Sequence, residues 1–495
     1  MTAARHNPRR PALRLAAGIA AVAALTAAAA GPSPAADIRF DPNAPVKMSP
    51  EVPADVDPSI RDGLLEDGKL LMAHRLFEQQ QWAAFIALNW PVDENGSPRQ
   101  AVGDEGDPAW SEWTETYQIF KPGGAEPDPW GADKRHVPMV DKVQDPLPGD
   151  SGPVGYPDLG DSDARVLHNL SAIQKLNVVT ESDQAFSFSV FDQYGKPAYY
   201  ESLVNKVEYD FIVDNKLYEA GGLANYIAAN GKLSFPAGSF QGNRYGAIEL
   251  KVAWRVLDPS KDDFSRYLTQ PGYVVSGGDT PKWVAVTLGL VGFHIAQKTE
   301  TSPQWIWSTF EHIDNVEADW FHEITTADGT KRMLHPSFND PMCEWCPVNV
   351  PVAPDENGLR RTQVTRLVPI PKALAEMNAR VRKALADAGS PLQYYEMIGV
   401  QWPTKPEVPA QSGSEFPASV VDVSGGVPLM NYLANSVMET FSQVGNLPAD
   451  QQPRSVSTSD RMVFGTGSCI GCHSSSPYDF SWIMTKAQPK QLELE

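Results

Sequence analysis

Four cysteines stand in 495 residues, as two pairs of one spacing. Cys469-Ile470-Gly471-Cys472 is followed by His473, whereas Cys343-Glu344-Trp345-Cys346 is followed by Pro347. The first is the C-x-x-C-H arrangement of c-type haem attachment. Two thiols at that spacing reach the two vinyl groups of a haem, and the next residue offers an imidazole to the iron. The bland alternative is a disulfide that happens to precede a histidine. Gly465, Gly467 and Gly471 bracket the motif and allow close backbone approach. Tyr478, Phe480 and Trp482 follow and suit the walls of a flat apolar ring. One covalent haem c is therefore expected, with Cys469 and Cys472 as its anchors and His473 as the proximal ligand.

A thioether opposite the histidine raises the reduction potential and suits electron transfer. Met484, eleven residues after His473, is the first candidate, and Met462 and Met438 are its rivals. Each of the three has core packing as its ordinary alternative. A histidine from elsewhere in the chain, or an open position, completes the set. The second cysteine pair lacks a following histidine, so no second haem is expected. With the first pair bonded to haem, Cys343 and Cys346 can pair only with each other, and a disulfide is the expectation outside the cytoplasm. So short a loop contributes little stability. Redox-active thiols, or a zinc site with His322 and His335, are the competing readings.

His294, Glu311, His312 and His322 form a further candidate group, for a transition metal or for acid–base work. Side chains alternate along a strand, which sends Glu311 and His312 to opposite faces and argues against one simple cluster. The competing reading makes each histidine a hydrogen-bonded core or surface residue. Trp305 and Trp307 share one face at period two and are expected in the core rather than in a redox relay.

The elements that must position these groups begin after an export signal. Arg5, Arg9, Arg10 and Arg14 precede an uncharged Ala-rich run, Leu15 to Ala30, and Ser33-Pro34-Ala35 fits a cleavage site. Residues 1–35 are expected to be removed, by the general or the twin-arginine route, leaving a periplasmic or secreted protein with no membrane insertion. Residues 36–60 read as an extended arm. Residues 61–402 read as a β-rich main domain with flanking helices, 403–427 as a linker and 428–495 as the haem segment. Helices are expected over 62–88, from Pro371 with Leu374, Met377, Val381 and Leu385 on one face, and over about 428–444. Strand periodicity is read over 207–213 and 248–256. Trp283 to Ile295 reads as a fully buried strand, paired as a hairpin with 304–312. The long Pro- and Gly-rich stretch 91–160 is expected to be loops packed by Trp110, Trp113 and Trp130. The fold class is thus α+β: a β-rich body, sheet or sandwich, with flanking helices and a C-terminal helical haem segment. Only 22 residues follow His473, too few to wrap a haem, so the body must supply part of its wall.

Composition excludes several classes. The chain has 61 acidic against 41 basic residues, a net charge of −20. Losing residues 1–35 removes four arginines and no acid, which leaves 37 against 61, a net of −24. Such a surface disfavours nucleic acid and anionic lipid and favours a basic or charge-patterned redox partner. Four cysteines cannot staple a chain of this length, so it is no disulfide scaffold.

The stretch from Trp305-Ile306-Trp307-Ser308-Thr309-Phe310-Glu311-His312 to Asn315, with Ser468 and the motif that follows it, resembles a family of large single-haem bacterial periplasmic cytochrome c proteins. The likeness runs from about residue 75 onward. It implies a haem and an exported location and adds no substrate. Single-electron transfer is the leading expectation. A haem-dependent oxidase, oxygenase or peroxidase acting on a small molecule is the alternative, motivated by the roughly 430 residues that precede the motif.

Overall fold

Phe40, Val46, Met48 and Val52 lie along the body as an extended arm and pack against its core. The computed structural model describes residues 40–132, 165–166, 189–275, 283–367, 369–404, 433–442, 469–473 and 476–490. The expected signal peptide, most of the 403–427 linker and Met462 lie outside them.

Two helices follow the arm where one was expected. α1 (Pro58–Glu66) opens on Asp57, whose carboxylate accepts the Ser59 and Ile60 N–H groups. Gly68, with φ at 70°, then breaks the chain before α2 (Leu70–Leu88). In order come β1 (Pro91–Val92), β2 (Asp107–Pro108), β3 (Thr114–Glu115), α3 (Thr116–Ile119), β4 (Arg165–Val166), β5 (Tyr199–Val204), α4 (Lys206–Asp214) and α5 (Ala220–Asn230). β6 (Ile248–Val256), β7 (Thr269–Val275), β8 (Trp283–Gln297) and β9 (Ile306–His312) carry the central sheet, before the small hairpin of β10 (Glu323–Thr325) and β11 (Lys331–Met333). α6 (Lys372–Asp387), β12 (Tyr395–Gln401) and the short α7 (Cys469–His473) complete the described elements.

The α+β reading holds, and the body is a sheet. Its antiparallel order is β3-β5-β6-β8-β9-β12. β7 adds to the first half of β8, and β4 pairs with β7 in parallel. Leu288 pairs with Val256 of β6 and with Gln270 of β7, so those two neighbours flank β8 on opposite edges. The expected hairpin is present, with Phe293 opposite Phe310 and His294 opposite Thr309.

Alternation sorts the two faces. Leu250 and Val252 of β6, Phe293 and Ile295 of β8 and Phe310 of β9 join Phe77, Trp82 and Phe85 of α2 in one core. Phe85 stacks on Phe310 at 4.1 Å. Each such side chain contributes on the order of 1.5–3 kcal/mol by leaving water. α6 covers the same core with Leu374, Met377, Val381 and Leu385, the stripe read from sequence. Trp110 is buried there against Trp254 and Phe293, as the loop reading required. The opposite face carries the alternate residues: Glu249, Lys251, His294, Ala296, Trp307, Thr309 and Glu311.

Two expectations are corrected. Residues 207–213 are not a strand but α4. Asn205 caps it by accepting the Glu208 N–H at 3.1 Å, and Tyr209 and Ile212, three apart, turn inward. A capped turn plus a 3.6-residue stripe outweighs a short alternation that also matches period two. Residues 433–442, inside the expected 428–444 helix, form a turn and a single 3₁₀ turn at Thr440–Ser442. Asn435 and Ser436 spend their polar groups on the sheet instead. No helix among the described residues is long and apolar enough to cross a membrane.

Candidate functional site

The second face of the sheet receives both C-terminal segments. Segment 433–442 is pinned first. Asn435 donates through Nδ2 to Thr309 Oγ1 at 2.8 Å and to the Phe310 carbonyl at 3.1 Å. The Glu311 carboxylate accepts the Ser436 N–H at 2.6 Å and its hydroxyl at 2.5 Å. Arg366 lies on the other side of that carboxylate at 3.2 Å. Tyr200 donates its hydroxyl to the Val437 carbonyl at 2.7 Å. Met438, a rival axial ligand, is buried over Gly292.

This anchored segment and the sheet then hold α7. The Cys469 N–H donates to the Leu433 carbonyl at 3.2 Å, and the Ile470 N–H to Gln401 Oε1 of β12 at 2.9 Å. Ile470 buries among Trp305, Trp307, Phe480, Ile483 and Met484. Met484, the first candidate for the second axial position, is thus a buried member of the apolar cluster that holds the motif. Residues 476–490 fold back beside it, and Ala220 N–H and Gly123 N–H both bond Gln488.

His473 supplies the motif's imidazole. Its ring lies 4.1 Å from the Trp307 indole, and Nδ1 is 2.6 Å from the Phe480 carbonyl. A carbonyl oxygen only accepts, so Nδ1 carries the hydrogen. The neutral ring is then the tautomer whose Nε2 presents a bare lone pair. Burial pushes the ring pKa down to about 4, against the opposing pull of the Phe480 carbonyl. The ring is therefore neutral at pH 7. A neutral imidazole with its Nδ1–H tied to a carbonyl is the form in which histidine ligates metals. The donor chemistry of His473 fits a haem iron.

Three titratable groups lie near enough to act on that ring: Lys251, His294 and Glu439. Glu439 Oε1 is 3.2 Å from His294 Nε2 and 3.3 Å from Lys251 Nζ, and its other oxygen accepts the Asn435 N–H at 2.7 Å. Burial alone would raise this carboxyl, but His294, Lys251 and Asn435 hold it down at about 2. Glu439 and Lys251 carried no signal in sequence. The alternation of Lys251 with core residues was legible, but not that Glu439, 188 positions away, would complete the pair.

No family model, curated protein or solved structure matches the chain. The site therefore rests on its own chemistry.

The histidine group read from sequence is dispersed. His294 joins Glu439, and Glu311 joins Ser436 and Arg366 on the same face. His312 turns to the other face, where its ring stacks on Tyr267 at 4.2 Å. His322 is exposed beyond the sheet. Among the described residues no group of three His, Cys, Asp or Glu is placed to hold a metal ion. The zinc reading also fails at its cysteines, because Cys343 and Cys346 form the expected disulfide, Cα atoms 5.5 Å apart. Trp305 and Trp307 are buried as expected, yet their cluster contains the motif helix, a placement that period two alone does not reveal.

A buried carboxyl pair lies beside this site. Glu208 of α4 is fully buried, and neither its oxygens nor Glu249 Oε1 of β6 has a hydrogen-bond donor. Burial and then the Glu249 charge push the Glu208 carboxyl well up, and burial raises Glu249 to about 7. Two facing carboxyls, with Ser481 bonded only to Glu249, ease their conflict by sharing a proton.

Proposed function

We propose that the chain is an exported monohaem c-type cytochrome that transfers single electrons, with haem bonded through Cys469 and Cys472 and ligated by His473. The observation that carries this reading is the His473 ring, held with Nδ1–H on the Phe480 carbonyl and one face against Trp307. That hydrogen bond aims Nε2 away from Phe480 and increases its donor strength. Haem bound there supplies a one-electron iron couple. Ile470, Phe480, Ile483 and Met484 form an apolar cluster beside the motif. The Trp307 indole packs against the imidazole, centroids 4.1 Å apart and planes tilted by 42°. Met484 remains the first choice for the second axial position.

The test is a pyridine haemochrome spectrum of protein expressed with export and haem-attachment machinery. A thioether-type spectrum with one haem per chain is expected, lost in the C469A/C472A variant. A chain that folds and is exported without covalent haem would end the proposal.

The network of Glu439, His294 and Lys251 favours a second reading, a haem oxidoreductase. A partly buried hydrogen-bonded network of titratable groups near a haem ligand suits reactions that move a proton. Rapid CO binding by the reduced protein at neutral pH would support it, because it requires an open axial position. Absence of binding supports the carrier.

A further inference from the structure

The turn that offers its carbonyl to His473 has an unfavourable backbone. Asp479 and Phe480 are consecutive non-glycine residues with φ at 54° and 68°. L-residues rarely enter that region, and two in succession persist only when the surroundings hold them there. The surroundings here are named. Asp479 Oδ2 accepts the Phe235 N–H at 2.7 Å and an ammonium hydrogen of Lys298. The Asp479 carbonyl accepts the Trp305 indole N–H at 2.9 Å. On the far side, the Ser481 carbonyl accepts the Ser476 hydroxyl at 2.6 Å, and the Ser481 side chain bonds Glu249. Phe480 is thus gripped on both flanks.

The two side-chain donors on Asp479 share an origin. Lys298 immediately follows β8, and Trp305, itself at φ 69°, immediately precedes β9. Both are buried. The turn of the central hairpin therefore reaches across to a segment about 180 residues later in sequence. A buried ion pair is a poor route to stability, since desolving two charges offsets their attraction. What it does well is select one conformation, and the conformation selected puts Phe480 O 2.6 Å from His473 Nδ1.

We propose that Lys298, Trp305 and Asp479 are positioning residues that set the strength of the bond from His473 Nδ1–H to Phe480, and through it the reduction potential of the haem. A strong bond makes the imidazole a better electron donor and favours the oxidised iron. Loosening the clamp weakens the bond and raises the potential. The inference rests on the proposed haem ligation by His473.

Spectroelectrochemical titration of the holoprotein tests it, comparing wild type with W305F and with the K298Q/D479N double variant. W305F keeps a buried ring and removes one N–H donor. The double variant removes a charge pair and W305F removes none, so neither changes the net charge, and a rise shared by both tracks the lost hydrogen bonds. Both are expected to retain haem and show a raised midpoint potential, the larger rise in the double variant. Loaded variants with wild-type potentials overturn the clamp alone. If the double variant fails to accumulate, W305F decides. Wild-type protein without thioether-linked haem overturns the ligation itself, and the clamp with it.

Discussion

His312 was a candidate ligand because of its residue type, and its neighbours show why it is structural instead. Nε2 donates to the Arg266 carbonyl at 2.9 Å, while Nδ1 accepts the Asp314 N–H at 3.1 Å. Both ring nitrogens are occupied only if the ring is neutral, and a second ring proton would confront the Asp314 N–H. Burial pushes its pKa down to about 4. In the unfolded chain the ring titrates near 6.5. The folded pKa is the lower, so the contribution to stability is complete above about 6.5 and is lost as pH falls through that value toward 4. The loss is at most about 3 kcal/mol. Chemical denaturation at stepped pH from 7 to about 4.5 should show the wild type losing more stability than H312Q over that window. Equal losses would mean that His312 is not held neutral. His473 shows the same neutrality with the opposite consequence. One nitrogen is satisfied by Phe480, and the other is left for a ligand. Residue type alone cannot separate these two histidines. Their hydrogen-bond partners can.

At the scale of elements, the β8–β9 hairpin does most of the positioning. One face of it builds the core with α2, and the other seats the C-terminal segments. Gly292 is the point of closest approach: a Cβ there would meet Met438 Cε at 3.0 Å and Val437 Cγ2 at 3.1 Å. Those contacts are flexible side-chain ends, so G292A should fold at a modest cost. G292L cannot be accommodated by a shift of a few tenths of an ångström, and overpacking of this kind costs about 1–3 kcal/mol. Amide hydrogen exchange should show faster exchange in 433–442 of G292L, with α2 and α6 unchanged. Protection equal to wild type in that segment would show that it does not depend on the close approach. The hairpin and α6 were legible because their signals are local: an apolar run, a polar turn, a 3.6-residue stripe. α4 was not, because a nine-residue segment satisfied two periods at once and its Asn205 cap decided between them. The 433–442 segment was not, because its Asn and Ser groups bond a sheet more than a hundred residues earlier.

For the whole molecule, charge is the property that sequence alone states. The chain carries 41 basic against 61 acidic residues, a net of −20, and the proposed removal of residues 1–35 would leave 37 against 61, a net of −24, a balance that would favour encounters with a basic redox partner. Their bimolecular rate should fall steeply as salt rises to roughly 0.1 M, where the screening length is about 10 Å, and beyond. Stopped-flow oxidation by a cationic and an anionic mediator across a salt series checks this. Similar salt slopes for the two would remove the electrostatic argument. The sequence by itself determined the C-x-x-C-H motif, the pairing left to Cys343 and Cys346, the acidic balance and the periodic strands and helix stripe. Each of these is read within one segment or by counting. Only the tertiary structure decided what surrounds His473. Trp307 arrives from the central hairpin, Lys251 from β6 and Glu439 from a segment with no regular helix among the described residues. The left-handed turn at Asp479 and Phe480 is held by that hairpin together with Phe235 and Ser476. The physical reason is register. Alternation tells which side chains share a face, but not which distant segment will lie on that face. That is settled by hydrogen bonds that form only when the strands have paired.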